Sequence, residues 1–128
     1  MTRFKNWQRP KFDDKNVTKW NWMCSDNENL EIGKNSDIGA FTYIKAKFGV
    51  KIGGDVQIGS HCSIYSENTI DKTQGKIVIK KGAMVGSHSV ILPNVTIGEE
   101  AIVGAFSLVK KDVPAGQVFG GVPARKIK

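Results

Sequence analysis

Residues 79–109, IKKGAMVGSHSVILPNVTIGEEAIVGAFSLV, carry an aliphatic side chain at every sixth position: Ile79, Val85, Ile91, Ile97, Val103 and Val109. Towards the N-terminus the same spacing returns as Ile52, Ile58, Ile64 and Ile70, and before that as Ile32, Ile38 and Ile44. The register slips by two between Ile44 and Ile52, and by three across DKTQGKIV, residues 71–78. Thirteen aliphatic residues therefore fall into three phased blocks. Self-similarity at a fixed period is the sequence signature of a solenoid.

The rest of each hexad supports this. Gly33, Gly39, Gly53, Gly59, Gly86, Gly98 and Gly104 each follow an aliphatic residue. Four positions after it stands a mostly small residue: Ser36, Thr42, Val56, Cys62, Ala83, Ser89, Val95, Ala101 and Ser107. A period of six is neither the helical repeat nor the alternation of a simple strand. It fits a short extended piece followed by a turn, with the aliphatic and small residues pointing inward and Gly permitting the tight corner. Three hexads return the chain to its starting edge, so one coil takes about eighteen residues and the run makes roughly four coils. The reading is all-β: a single-stranded, left-handed parallel β-helix, triangular in section. An α-helical reading fails because Gly recurs too often and Val, Ile and Thr are too frequent.

The repeat divides the chain into a non-repeat segment 1–29, a β-helix 30–113 and a tail 114–128. Trp7, Trp20 and Trp22 lie in the first segment. They are expected to cap the open first coil, or else to help form an acceptor pocket. Pro114 and Pro123 interrupt any ladder in the tail. At 128 residues and 40% hydrophobic, the chain suits one domain. Cys24 and Cys62 are too few for a disulfide framework and fit a reducing cytosol. No apolar signal region or spanning stretch is visible, so a cytoplasmic protein without membrane association is expected. A net charge of +7 favours anionic partners: nucleic acid, anionic lipid or a phosphorylated cofactor. The basic residues are scattered without an aromatic–basic motif, which argues against specific nucleic-acid binding.

Three features together resemble a known family. They are the hexad run, the stretch Met84-Val85-Gly86-Ser87-His88, and the passage from Val109-Lys110-Lys111-Asp112-Val113-Pro114 to Gly121-Val122-Pro123-Ala124-Arg125. They are similar to the hexapeptide-repeat acyltransferases, closest to the galactoside and maltose type of sugar acetyltransferase. The resemblance covers roughly residues 30–128. It implies an acetyl-CoA-dependent acetyltransferase acting on a hydroxyl or amine of a sugar or nucleotide sugar. It also implies a homotrimer with active sites in clefts between neighbouring β-helices, and no metal. The positions of Ser87 and Ala105 contact acetyl-CoA in the family. These two residues are eighteen apart and are expected to stack at one corner. Lys110, Lys111, Arg125 and Lys128 match positions that contact the cofactor. Cationic side chains are the natural partners of CoA's phosphates.

Acetyl transfer to a hydroxyl usually needs a general base, most often His, and a donor for the oxyanion. An unprotonated amine needs less help. The chain has two histidines, His61 and His88, each at the fourth position of its hexad. Some β-helix acyltransferases carry their catalytic His there; the plain alternative is a turn histidine with local contacts. The galactoside branch instead places its His in a loop, at a position that falls near Thr69 here, and this sequence has none. Three readings stay open: His61 or His88 is the base, Glu67 or Asp71 acts by orienting a His, or an amine acceptor needs no strong base. The second requires the corners at Ser66-Glu67 and Ser87-His88 to share one edge.

Two other classes share the fold. A γ-type carbonic anhydrase needs three His ligands to zinc, one more than the chain has. A non-catalytic scaffold remains an alternative because the expected loop His is missing.

Overall fold

The structure, a computed structural model, describes residues 4–128; Met1–Arg3, the start of the 1–29 segment, lie outside the described residues. The hexads fold as expected into a left-handed β-helix whose coils have three faces. The first face stacks β1 (Met23–Ser25), β4 (Tyr43–Lys45), β7 (Ser63–Tyr65), β12 (Val90–Ile91) and β15 (Leu108–Val109). The second stacks β2 (Leu30–Ile32), β5 (Val50–Ile52), β10 (Ile77–Ile79) and β13 (Thr96–Ile97). The third stacks β3 (Asp37–Ile38), β6 (Gln57–Ile58), β11 (Met84–Val85), β14 (Ile102–Val103) and β16 (Val118–Gly120), with β17 (Arg125–Lys126) antiparallel at its end. All other pairings within the three faces are parallel.

The periodic residues line up in columns because the ladder holds them in register. Cys24, Ile44, Ile64, Ile91 and Val109 follow one another up the first face, and Ile38, Ile58, Val85 and Val103 up the third. The nine small residues are all buried. Their hydroxyls are satisfied by corner carbonyls: Ser36 donates to Gly53 O at 2.8 Å and Thr42 to Gly59 O at 2.9 Å. A buried hydroxyl without such a partner costs on the order of 1–3 kcal/mol, so the small polar positions and the glycine corners depend on each other.

Two expectations need correction. Ile70 was expected to continue the aliphatic column but is 91% exposed. The chain leaves the coil after β7 as an antiparallel hairpin, β8 (Glu67–Asn68) and β9 (Thr73–Gln74). Asn68 and Asp71 hold its tip by accepting from the N–H groups of Ile70 and Thr73 at 3.1 Å. The column resumes only at Ile77 and Ile79, so the slip begins after Ile64. Register partners show the effect: Tyr43 to Ser63 is twenty residues, Ser63 to Val90 twenty-seven, Val90 to Leu108 eighteen.

The second correction concerns glycine. The left-handed corner positions are held mostly by larger residues, Asn35, Phe41, Asp55, His61, His88, Asn94, Glu100 and Phe106, with Gly82 and Gly116 at the same hexad position, all with φ near +60° or +70°. The glycine after the aliphatic residue serves close approach instead, except at Gly104, where the nearest neighbour is 3.7 Å away. A Cβ on Gly86 would sit 2.4 Å from Ala105 N, and one on Gly39 2.4 Å from Ser60 N.

The open first coil is covered by the N-terminal segment. Trp22 is 2% exposed and packs edge-on against Phe12, with ring centres 5.4 Å apart. Trp7 Nε1 donates to Ser36 O at 2.8 Å, and the Arg9 guanidinium donates to Ile32 O. The segment also supplies β1, which stacks on β4. No helix among the described residues is long and apolar enough to cross a membrane.

Candidate active site

The edge between the third and first faces carries one left-handed corner residue per coil: Phe41, His61, His88 and Phe106. All four are exposed. Their rings form a ladder. Phe41 and His61 lie 5.2 Å apart and tilted, His61 and His88 4.7 Å apart and parallel within 5°, and His88 and Phe106 4.8 Å apart within 12°. His is among the residues enriched at positive φ, whereas a bulky Phe is an outlier there. Phe41 and Phe106 share the hexad position of the two histidines. That shared position was the signal available in the sequence for adding them to the site.

The backbone beside the ladder is equally regular. His61 N–H donates to Ala40 O, His88 N–H to Ser60 O and Phe106 N–H to Ser87 O, each at 3.0 Å. Ala40, Ser60, Ser87 and Ala105 thus stack at one corner. The N–H groups of Ser60, Ser87 and Ala105 have no acceptor among the described residues, and neither imidazole has a hydrogen-bond partner there. Backbone conformation and stacking hold the rings.

His61, His88, Ser87 and Ala105 therefore come together. The other residues singled out by sequence are dispersed. Lys110 and Lys111 follow β15 and are exposed, and Lys110 is close enough to Asp71 to act on its carboxyl. That places Lys110 towards the hairpin side, away from the ladder. Arg125 and Lys128 are exposed at the C-terminal end of the third face, where Lys128 O accepts from Val118 N–H at 3.0 Å.

The expected sharing of an edge by Glu67 and His88 is not found. Ser66 lies beyond β7, at the edge between the first and second faces, and its Oγ donates to Lys45 O at 2.6 Å. Glu67 pairs with Lys45 at 3.1 Å and Lys47 at 3.7 Å. The Lys45 ammonium holds the Glu67 carboxyl below the usual carboxylate range. The Thr73 hydroxyl and N–H do the same for Asp71. The hairpin insertion carries both carboxylates away from the ladder and engages them locally. Both cysteines are free and buried, and burial pushes the Cys24 thiol up to about 12. No cluster of three potential metal ligands occurs among the described residues.

Residues 76–111 match the family model for the bacterial transferase hexapeptide (six repeats). This segment belongs to the hexapeptide-repeat family of bacterial transferases. The hexapeptide-repeat chain is 33% identical over 111 residues to YvoF of Bacillus subtilis, provisionally named an acetyltransferase, covering 84% of this chain and 64% of YvoF. It is 48% identical over 52 residues to the galactoside O-acetyltransferase of Escherichia coli, covering 41% of this chain and 26% of that enzyme. The chain thus spans less than two thirds of these relatives. A hexapeptide-repeat acetyltransferase of Vibrio cholerae, solved with acetyl coenzyme A, superposes with a TM-score of 0.79 at 28% identity, covering 84% of this chain and 63% of that one.

Proposed function

We propose that the chain is an acetyl-CoA-dependent acetyltransferase that modifies a hydroxyl or amine of a sugar or nucleotide sugar. The observation that carries this reading is the edge where two stacked, unpartnered imidazoles stand beside the Ser60–Ser87–Ala105 corner stack. Acetyl-CoA lies along that edge, with the N–H groups of Ser87 and Ala105 as candidate donors to its amides and thioester carbonyl. His61 or His88 takes the proton from an attacking hydroxyl; an amine acceptor needs that help less. Arg125, Lys128 and the rest of 114–128 serve the phosphates at the C-terminal end, with Lys110 and Lys111 in reach only if the cofactor crosses the first face. In this reading a homotrimer completes the cleft; the exposure of Phe41 and Phe106, at 65% and 66%, supports an apolar edge for a neighbouring copy to cover. The free thiols fit action in a reducing compartment.

The test is CoA release from acetyl-CoA against a panel of sugars and nucleotide-linked amino sugars, using wild type, His61→Ala and His88→Ala. Removing the base is expected to lower turnover by about 10²–10⁴-fold with acetyl-CoA binding retained. Loss in neither variant assigns amine attack without a protein base. Absence of acetyl-CoA binding by wild type at millimolar ligand refutes the activity, and binding without transfer across the panel favours a scaffold.

A further inference from the structure

The N-terminal segment holds a feature that capping does not use. Gln8, Arg9, Lys11, Lys19 and Trp20 surround one surface hollow. Trp20 also lines a second hollow beside it, with Trp7, Trp22, Ser36, Asp37 and Ile38. Trp20 is 39% exposed, whereas Trp22 is buried and Trp7 is tied to Ser36. Lys19 Nζ lies 4.8 Å from the Trp20 ring centre and bonds Gln8 Oε1. Arg9 sits over Trp7 at 5.2 Å. Only part of its five-donor guanidinium is used by Ile32 O. Lys11 is exposed and has no partner among the described residues. Three cations thus share one hollow with the Trp20 indole, and no carboxylate among the described residues lines it.

The chain connects this hollow to the ladder in two residues. Asn21 follows Trp20, has a left-handed backbone, and its carbonyl accepts from Phe41 N–H at 2.7 Å. The register that sets Met23 beside Tyr43, together with its left-handed backbone, places Asn21 at the N-terminal end of the column Phe41–His61–His88–Phe106. The second hollow is lined by Ser36, Asp37 and Ile38, the stretch that leads into the Phe41 corner.

We infer that the hollow around Trp20, Arg9, Lys11 and Lys19 is a subsite for the diphosphate and planar base of a nucleotide-linked acceptor. Cations recognise the phosphates, and the indole offers a face for the base. The attached sugar then falls in the second hollow, where the aromatic faces of Trp7 and Trp20 suit hydroxyl-bearing rings, and its reactive group points down the ladder. This deepens the acetyltransferase reading and rests on it: the donor enters from the C-terminal end of the edge, the acceptor from the N-terminal end.

The test titrates the full chain separately with UDP, uridine and acetyl-CoA, using wild type, Trp20→Ala and Lys11→Glu. Lys11 is exposed, so Lys11→Glu is expected to keep the wild-type far-UV spectrum and melting temperature; Trp20 is 39% exposed, so Trp20→Ala is expected to keep the spectrum with a lowered melting temperature, and Lys11→Glu keeps the test independent of that loss. UDP is expected to bind wild type, with uridine weaker by about tenfold. Each variant is expected to weaken UDP by about tenfold, the range of one base stack or one charge-assisted contact. Acetyl-CoA affinity stays within about twofold, since neither residue lies on the donor's end of the edge. Wild-type affinity for UDP in the variants overturns the inference. So does a matching loss of acetyl-CoA affinity, which makes the hollow the donor's nucleotide site. A single-stranded oligonucleotide that binds more tightly than UDP and is lost in Lys11→Glu overturns it in favour of nucleic acid. Acetyl-CoA binding without UDP binding refutes the subsite alone, and UDP binding without acetyl-CoA binding refutes the activity alone.

Discussion

Gly86→Ala should separate stacked coils, and its magnitude follows from the geometry. A Cβ at Gly86 meets Ala105 N at 2.4 Å, Ala105 Cα at 2.7 Å and Gly104 C at 2.9 Å. All three are backbone atoms, so no side chain can swing aside. Unstrained contacts need about 3.5–4 Å, so the coils must part by roughly an ångström. They are joined there by Gly86 N–H to Val103 O at 2.8 Å, Met84 N–H to Ala101 O at 2.9 Å and Phe106 N–H to Ser87 O at 3.0 Å. Overpacking costs about 1–3 kcal/mol, and rigid backbone neighbours place this site at the upper end. About 3 kcal/mol lowers the melting temperature of a chain this size by roughly 10 °C. Gly104→Ala is the control, because it has the same hexad position but its nearest neighbour is Phe119 O at 3.7 Å. Its φ is not left-handed, so Ala fits and stability is expected to change by less than about 1 kcal/mol. Thermal unfolding followed by far-UV circular dichroism reads both. Melting temperatures within about 2 °C of each other would refute the close-approach role of the glycine.

Ile64→Ala removes a fully buried column member and should cost about 2–5 kcal/mol by urea unfolding. Ile70→Ala, at 91% exposure, should stay within about 0.5 kcal/mol; equal losses would return Ile70 to the core. The Glu67 carboxyl is held below its ordinary value of 4.5, so its pairing stabilises fully above that pH and the contribution disappears as pH falls through the lowered value. Comparing urea midpoints at pH 7 and pH 3, wild type should lose more stability than Glu67→Gln, and the excess should shrink in high salt; parallel losses would mean the pairing contributes nothing.

Most of the fold was legible because the hexad writes the inward positions directly. Ile44, Ile64 and Val85 needed only counting. Ile70 misled because it keeps the spacing while the backbone leaves the coil. Spacing records residues, whereas the Asx turns at Asn68 and Asp71 decide where the chain goes. The site was half legible. Ser87 and Ala105 stack as their eighteen-residue separation required. Glu67 failed because counting located it on a corner without saying which corner. Val50 and Ile77 are buried two positions before Ile52 and Ile79, inside longer strands that the six-residue count skips. Trp20 was visible as an aromatic residue, but its cationic neighbours Arg9, Lys11 and Lys19 converge only when the segment folds over the first coil.

The ladder from Phe41 to Phe106 advances by 5.2, 4.7 and 4.8 Å, close to the spacing of hydrogen-bonded strands. The edge is therefore a ruler whose graduations are set by the backbone and whose marks are side chains. Replacing one mark leaves the neighbouring graduations in place. The distance between the two ends changes only in whole steps, by gaining or losing a coil. For the ligands proposed to lie along this edge, discrimination by length would be counted in coils, not tuned continuously by loop motion.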